Sequence, residues 1–362
     1  MAKTNSLGAR LNRGEIVYDF IGNRKLWYGL SILITITAIV ALAVRGLNMG
    51  IEFQGGAVFT TPKSDISVSQ AQEHAEEASG HEAVVQKLGS GALRIQVGGL
   101  DTAKSDQVRA ELAKDLNIPE SKIAAELVGP SWGEQIANKA WTGLAVFMIL
   151  VVIYLAIAFE WRMAVAALIA LIHDLTITVG IYTLVGFEVT VGTVIGLLTI
   201  LGYSLYDTVV VFDSLKEGTK SITKQSRYTY SDLANRSINS TLIRSINTTV
   251  VALLPVAGLL FIGGGFLGAG MLNDISLSLF VGLAAGAYSS IFIATPLVAD
   301  LKEREPAIKA LRKRVVAKRA AAAAKGESPD DGAEDADHFQ DEAEAAVVGQ
   351  RGRRGQASEP RG

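Results

Sequence analysis

Six long apolar stretches, separated by polar segments, dominate the pattern along the chain. A helix needs about 20 apolar residues to cross the hydrocarbon core of a bilayer. The stretches run over residues 26–44, 137–158, 163–185, 189–212, 243–263 and 272–299. This pattern predicts an α-helical membrane protein with six transmembrane helices.

The first stretch, with domain bounds 26–45, also has some features of a signal peptide. Arg24 and Lys25 precede its apolar core, and the small-residue sequence ALA follows at 41–43. The apolar core of a signal peptide is only about 7 to 15 residues long, and five further spans follow in this chain. We therefore predict a retained membrane helix.

A large polar segment, residues 46–136, separates the first span from the second. Its periodicity predicts strands at 57–61, 82–88, 93–97 and 122–128 and helices at 67–79 and 102–116. Ser67 and Gln70 have the spacing of a helix capping box, and a glycine turn at 88–93 joins the middle strands. The βαββαβ order predicts an α+β domain of ferredoxin-like type.

Lys and Arg residues fall on one side of the six predicted spans. They occur before the first span, in the second and fourth connections and after the last span. The positive-inside rule then predicts cytoplasmic termini, 1–25 and 302–362, and an exterior domain at 46–136, with spans two to six forming a bundle over 137–301. The tail is basic, then acidic, and is predicted to be largely disordered, although 309–325 fits a basic helix on membrane lipid.

The composition agrees with a membrane location and limits the kinds of reactive or metal-binding site that the chain can contain. Of 362 residues, 49% are hydrophobic and 19% are charged, and the mean hydropathy is +0.31. The absence of cysteine excludes disulfides and thiol nucleophiles. The four histidines have no metal-binding spacing, so neither metal nor cofactor is expected. The net charge of −2 gives no indication of nucleic-acid binding.

A carboxylate inside the fourth apolar stretch raises an energetic question. Asp207 lies in the segment GYSLYDTVVVFDS, and Arg244 lies at a similar depth on the next, antiparallel span. An ionised Asp at the centre of a membrane helix costs about 2.5 to 3.5 kcal/mol. We therefore predict that Asp207 and Arg244 pair, each offsetting the other's desolvation.

The residues alone leave several roles open for these charges. The pair is either a fixed contact that orients two helices or a switch that breaks when Asp207 takes up a proton. An aspartyl protease dyad of Asp174 and Asp207 is disfavoured, because the two carboxylates differ in depth. His173, beside Asp174 near mid-membrane, belongs either to a proton path or to the packed core. Gly192 and Gly196 form a GxxxG motif, which suits close helix contact.

Four motifs carry a resemblance to a known family. They are GIEFQGG at 50–56, VGPSWGEQ at 128–135, HDLTITVGIYTLVGFEVT at 173–190 and GYSLYDTVVVFDSLKE at 202–217. Over about residues 15–302 the chain resembles the SecD/SecF family of protein-export membrane subunits, on its SecF side, within the resistance-nodulation-division (RND) superfamily. It departs from the family pattern at Glu52, Tyr206 and Ser214, where Asp, Asn and Arg are usual.

The resemblance implies a function without enzymatic catalysis. The subunit would use the proton motive force and would work with SecD, its obligate partner, each forming half of a twelve-span unit. This unit would promote the passage of the translocating preprotein through the SecYEG channel. Alternatives are half of an RND-type small-molecule or lipid exporter and a passive scaffold. The resemblance implies Asp207 and Arg244 as the proton-coupled pair, and Asp174 and His173 are our further candidate proton-coupling residues. The implied helix-interface residues are Gly202, Tyr203, Ser204, Asp213, Gly192 and Gly196, and the exterior-domain motif residues are Gly55, Gly56, Gly129 and Pro130.

Overall fold

Long helices account for all six apolar stretches in the computed structural model, which describes residues 18–266 and 270–324. The six helices that are long and apolar enough to span a membrane in this part of the chain are Arg24–Arg45, Ser131–Ala158, Trp161–Val185, Val191–Lys224, Tyr230–Gly263 and Leu272–Lys302. The predicted number of spans is confirmed, and the chain is a multi-pass membrane protein.

Helices and strands follow one another in a regular order. The helices are α1 Arg24–Arg45, α2 Ile51–Gln54, α3 Val68–Ser79, α4 Thr102–Asp115, α5 Pro130–Ala158, α6 Trp161–Val185, α7 Val191–Thr219, α8 Tyr230–Gly258, α9 Gly270–Ser289, α10 Thr295–Lys302 and α11 Pro306–Ala324. The strands are β1 Asn48–Met49, β2 Gly56–Lys63, β3 Ala83–Lys87, β4 Ala92–Gly98, β5 Ala124–Val128 and β6 Glu188–Val189. Two π-helical segments, Leu259–Phe266 and Ser290–Ala294, follow α8 and α9.

Several helices extend beyond their apolar stretches. The α8 helix begins at Tyr230, well before the predicted 243, because helical hydrogen bonding continues into the polar segment. The α5 helix begins at Pro130 after an extended Gly129, as expected for Pro in the first helical turn. Residues 130–136, predicted to belong to the α+β domain, are therefore the first turns of α5.

The α+β domain has the predicted βαββαβ order. Its four strands form an antiparallel sheet in the order β3-β4-β2-β5, which is the ferredoxin-like arrangement. Its core lies between the sheet and the helices α3 and α4, and includes the buried Phe59, Ile95 and Leu112. The predicted capping box is present, because the Ser67 side chain accepts a hydrogen bond from the Gln70 N–H and Gln70 bonds back.

Glycines allow α7 and α9 to pack closely in the bundle. A Cβ atom added to Gly196 would lie 1.7 Å from Ser278 Oγ and 2.9 Å from Ser278 Cβ. On α9, a Cβ atom on Gly282 would lie 2.1 Å from Ile200 Cδ1. Backbones therefore approach more closely than larger residues permit, as is common between membrane helices.

Ion pairs connect helix ends at the end of the bundle where α1 begins. Arg24 Nε lies 3.1 Å from Asp300 Oδ1, and Tyr28 donates a hydrogen bond to Asp300. Further pairs join Arg162 to Glu305 and Lys302 to Glu160. We call these three pairs the terminal ion-pair network.

The opposite end of the bundle connects to the α+β domain. Strands β1 and β6 form a short parallel bridge in which Asn48 pairs with Glu188, and the Gly50 N–H donates to the Val189 carbonyl over 2.9 Å. Two of the sequence motifs also meet here, since a Cβ on Gly133 would lie 2.7 Å from the Phe53 carbonyl oxygen. Contact at this end is therefore made mainly through backbone and small residues.

A second, smaller unit comprises residues 223–229 and the chain from Pro306 onward. Within it, Arg314 and Arg319 of α11 donate hydrogen bonds to the carbonyls of Thr223 and Arg227. The first part of the predicted tail, Pro306–Ala324, is thus a basic helix. The acidic part, from residue 325 onward, lies outside the described residues.

Candidate proton-coupling site

Helices α6 and α7 place Asp174 and Asp207 inside the bundle. Asp174 is 0% exposed and Asp207 is 4% exposed. Both lie among buried neighbours on their helices, such as Thr178 on α6 and Ser204 on α7. Two carboxyls therefore occupy the interior of a helix bundle, where burying a charge is costly.

Asp174 receives its hydrogen bonds from serine hydroxyls. Its Oδ2 atom accepts from Ser204 Oγ on α7 over 2.5 Å and from Ser289 Oγ on α9 over 2.8 Å. Its Oδ1 atom accepts no hydrogen bond from the residues that the structure describes and lies 3.7 Å from Nδ1 of His173.

Asp207 has a similar environment on two other elements. Its Oδ1 atom accepts from Ser245 Oγ on α8 over 2.7 Å. Its Oδ2 atom accepts from Ser290 Oγ over 2.5 Å. Four hydroxyls thus surround the two carboxyls: Ser204, Ser245, Ser289 and Ser290.

The adjacent residues Ser289 and Ser290 connect the two carboxyls. Ser289 is the last residue of α9 and Ser290 the first of the following π-helical segment. Short π-helical segments inside longer helices frequently mark functional sites. The pattern of apolar residues does not reveal these serines; the available sequence signal is the pair SS in the middle of the sixth span.

The structure contradicts the predicted contact between Asp207 and Arg244. Arg244 is exposed, and its Nη2 donates to the Tyr206 hydroxyl over 3.2 Å. Successive helical residues point about 100° apart, so Ser245, rather than Arg244, faces Asp207. Tyr206 occupies the corresponding outward position next to Asp207 on α7.

His173 packs against an aromatic side chain. Its ring stacks on Tyr288, with the ring centroids 6.2 Å apart, and the Tyr288 hydroxyl shares a hydrogen bond with Ser31 on α1. Neither ring nitrogen of His173 has a hydrogen-bond partner among residues 18–266 and 270–324. The histidine therefore packs on α9 through Tyr288, and Tyr288 in turn contacts α1.

The predicted helix-interface residues divide into two groups. Ser204 is buried and contacts Asp174, Gly192 and Gly196 are buried, and Tyr203 is half-buried. Gly202 and Asp213 are exposed, and a Cβ on Gly202 would meet nothing within 4 Å. These two residues do not make the predicted helix contact within this chain, because they lie on the outer face of α7.

The glycine motif of the α+β domain adopts strained backbone conformations. Gly55 ends α2 with a φ of 76°. Gly56 has a φ of 145°, and a Cβ there would lie 2.3 Å from the Val97 carbonyl oxygen. Only glycine can adopt this positive φ and also leave room for the Val97 carbonyl. Gly129 and Pro130 shape the start of α5.

The two carboxyls are bound mainly by neutral hydroxyl groups. Apart from His173, no basic side chain forms an ion pair with Asp174 or Asp207 in the described part of the chain. Serine hydroxyls can donate to an ionised carboxylate or accept from a protonated one. The described residues also contain no cluster of three His, Asp or Glu that suits a metal ion.

Together, six spans, an inserted ferredoxin-like domain and interior carboxyls define a membrane protein of RND-like fold. The model of the SecD/SecF C-terminal domain, described as a protein-export membrane protein, matches residues 108–304. The SecD/SecF GG motif matches residues 40–62. The chain belongs to the SecD/SecF family.

Individual relatives agree with this family. Protein translocase subunit SecF of Streptomyces coelicolor is 76% identical, over 97% of this chain and 95% of the relative. SecF of Mycobacterium tuberculosis is 38% identical, over 87% of this chain and 74% of the relative. The crystal structure of SecDF from Thermus thermophilus superposes with a TM-score of 0.69 at 31% identity, covering 82% of this chain and 42% of that one.

Proposed function

We propose that this chain is a proton-coupled accessory subunit of the Sec protein translocase. With a SecD partner it uses the proton motive force to promote the export of preproteins through SecYEG. Its termini lie in the cytoplasm, and its α+β domain acts on preprotein outside the membrane. Its membership of a protein-translocase family supports the transport role.

The observation that carries the proton coupling is the pair of interior carboxyls whose hydrogen bonds, among the described residues, come from serine hydroxyls. An ionised Asp174 or Asp207 in this bundle requires a counter-charge, whereas a protonated one is satisfied by its serines. Moving one elementary charge through 100 mV releases about 2.3 kcal/mol. That energy is sufficient to shift a two-state equilibrium substantially.

The serine contacts supply a route from protonation to helix movement. Asp207 binds Ser245 on α8 and Ser290 beyond α9, while Asp174 binds Ser289. A carboxylate only accepts hydrogen bonds, whereas a protonated carboxyl also donates one. A change in the charge of either carboxyl therefore changes the hydrogen bonds that it forms with its serines. The α8 and α9 helices would then shift against α7, and that shift would be transmitted to the α+β domain.

A SecD partner accounts for the exposed charged face of α7 and α8. Arg244 and Gly202 are exposed there, together with Tyr206, which is 52% exposed. A guanidinium facing lipid is costly, so a protein partner with an acceptor for Arg244 is expected to cover this face. The Thermus relative carries SecD and SecF in one chain, which supports a SecD half in this position.

The test compares neutral variants in inverted membrane vesicles. Asp207→Asn and Asp174→Asn should each reduce proton-driven preprotein export by at least about tenfold, because neither Asn can cycle a proton. Asp106→Asn, at an exposed position on α4 of the α+β domain, is the control and should export normally. Copurification of the SecD partner should be unchanged in all three.

Two outcomes would support the alternatives. Normal export by Asp207→Asn and Asp174→Asn, with the complex intact, would favour a passive scaffold. Normal preprotein export together with lost efflux of a small molecule or lipid would favour an exporter of the RND type.

A further inference from the structure

Three carboxyls from separate elements lie close enough to influence one another electrostatically at the end of the bundle nearest the α+β domain. They are Glu52 of α2, Glu188 of β6 and Asp274 of α9, with Arg94 of β4 beside them. An added Cβ on Gly50 would lie 2.8 Å from Glu52 Oε2 and 2.9 Å from Glu188 Oε1, so both oxygens lie beside Gly50. We call the three residues the domain-side carboxyl cluster.

The cluster is largely enclosed but adjoins a cavity. Gln96, which is 5% exposed, has no hydrogen-bond partner for its Nε2 atom in the described part of the chain, and Glu52 Oε2 likewise has none. Glu188 lines a cavity of about 830 Å³ between the α+β domain and the bundle. Its lining also includes the polar or charged residues Arg45, Asn48, Gln54, His81, Glu82, Gln96 and Thr183. Water in the cavity therefore has access to one member of the cluster.

Burial and mutual repulsion favour protonation here. Burial raises the pKa of the Glu188 carboxyl to about 7, the Arg94 guanidinium opposes the shift, and the nearby Glu52 and Asp274 add to it. Burial also raises the pKa of Glu52, with Arg94 opposing. One guanidinium cannot balance three ionised carboxyls.

A polar face of α6 leads from the cluster into the bundle. Tyr182, Thr178 and Asp174 are spaced four residues apart on one helix face, and each is at most 2% exposed. They span about 12 Å of helix. The Tyr182 hydroxyl donates to the Asp274 carbonyl over 3.3 Å, and the Thr178 hydroxyl donates to the Asp174 carbonyl over 2.8 Å.

We infer that the domain-side carboxyl cluster is the proton-loading site for Asp174, with Glu188 as its solvent-facing member and the Tyr182–Thr178 face of α6 as the route inward. A proton from cavity water converts the Glu188 carboxylate to the acid. Its transfer to the Asp174 carboxylate regenerates the ionised Glu188, so no other reactant is consumed. This inference rests on the proposed proton-coupled function.

Proton flux through the complex in proteoliposomes tests the inference. The full chain is reconstituted with its SecD partner, and flux is measured while the pH on the domain-bearing side varies. Wild type should gain flux as this pH falls through about 7. Glu188→Gln should reduce flux at pH 7 by about tenfold, and Glu188→Asp should restore most of it. Glu126→Gln, an exposed position on β5, is the control.

Arg94→Gln changes the same site in the opposite direction. Loss of the guanidinium removes the interaction that opposes protonation of Glu188, so the flux profile should move to higher pH. This variant keeps all three carboxyls and tests the site even if Glu188→Gln assembles poorly. Infrared titration of the purified full chain should show a carboxyl protonating near pH 7 that is lost in Glu188→Gln and retained in Glu126→Gln.

The results separate this inference from the proposed function. If Asp207→Asn abolishes flux but the profiles of Glu188→Gln and Arg94→Gln coincide with wild type, the cluster is a static feature and the inference is wrong. If Asp207→Asn conducts protons normally, the proposed proton coupling itself fails.

Discussion

The two ends of the bundle differ in how their carboxyl groups are balanced by basic side chains. In the terminal ion-pair network, Asp300, Glu305 and Glu160 each contact a basic side chain. In the domain-side carboxyl cluster, three carboxyls share the influence of Arg94. Ion pairs hold helix ends together, whereas burial and neighbouring carboxyls raise the pKa of Glu52 and Glu188. One end is thus suited to anchoring and the other to responding to pH.

The bundle interior resembles the domain-side end. Asp174 and Asp207 are bound by serine hydroxyls, which accommodate both the charged and the neutral carboxyl. Fixed charge pairs therefore lie at one end, while hydroxyl-bound carboxyls lie in the middle.

The largest expected effect comes from disturbing the close helix contact in the domain-side half. Gly196→Leu should lower the free energy of unfolding by about 3 kcal/mol, because α7 and α9 must separate. Gly202→Leu, on the same helix with open space around it, should have little effect. Denaturant unfolding of the detergent-solubilised chain measures both, and equal losses would argue against a specific contact at Gly196.

Breaking the terminal ion-pair network should have the next largest effect. Arg24→Gln leaves Asp300 without its guanidinium partner and should cost about 2 kcal/mol of unfolding free energy, since the pair is only partly exposed. Adding Asp300→Asn should recover part of the loss. If the double variant is no more stable than Arg24→Gln alone, the pair does not anchor these helix ends.

The domain-side cluster should make stability depend on pH. The pKa of Glu188 is about 7 in the folded chain, above its ordinary value, so the folded state binds more protons than the unfolded state between about pH 4.5 and 7. The free energy of unfolding should therefore fall as pH rises through this window. The expected fall is about 1 to 2 kcal/mol, since one pKa unit corresponds to about 1.4 kcal/mol and the carboxyl retains some contact with water.

Glu188→Gln removes this contribution to the pH dependence. Unfolding of the wild type and of the variant at pH 5, 6, 7 and 8 gives the comparison. Parallel curves across that range would show that Glu188 does not titrate differently in the folded and unfolded states.

The sequence predicts the fold well because periodicity and turn signals are local. Apolar lengths predict the six spans, and alternation with a glycine turn predicts the βαββαβ domain. Helix ends are less predictable. The early starts of α5 and α8 depend on capping and on contacts that apolar length does not contain.

The site is only partly predictable from sequence. Hydropathy identifies Asp174 and Asp207 as interior carboxyls, and depth places Arg244 near Asp207. The depth of a residue in the membrane does not say which way its side chain points around the helix axis. That direction decides that Ser245, rather than Arg244, contacts Asp207. The serines at 289 and 290 and the cluster around Glu188 depend on tertiary packing, so their roles appear only in the structure.

The smallest expected effect sharpens the contrast between pH-dependent and pH-independent contributions. The Ser67 hydroxyl caps α3 by accepting from the Gln70 N–H over 3.2 Å, so Ser67→Ala should cost about 1 kcal/mol. No carboxyl takes part in this cap. The loss should therefore be the same at pH 5 and pH 8, unlike that from Glu188. A pH-dependent loss in Ser67→Ala would mean that the α+β domain as a whole, rather than its carboxyl cluster, responds to protons.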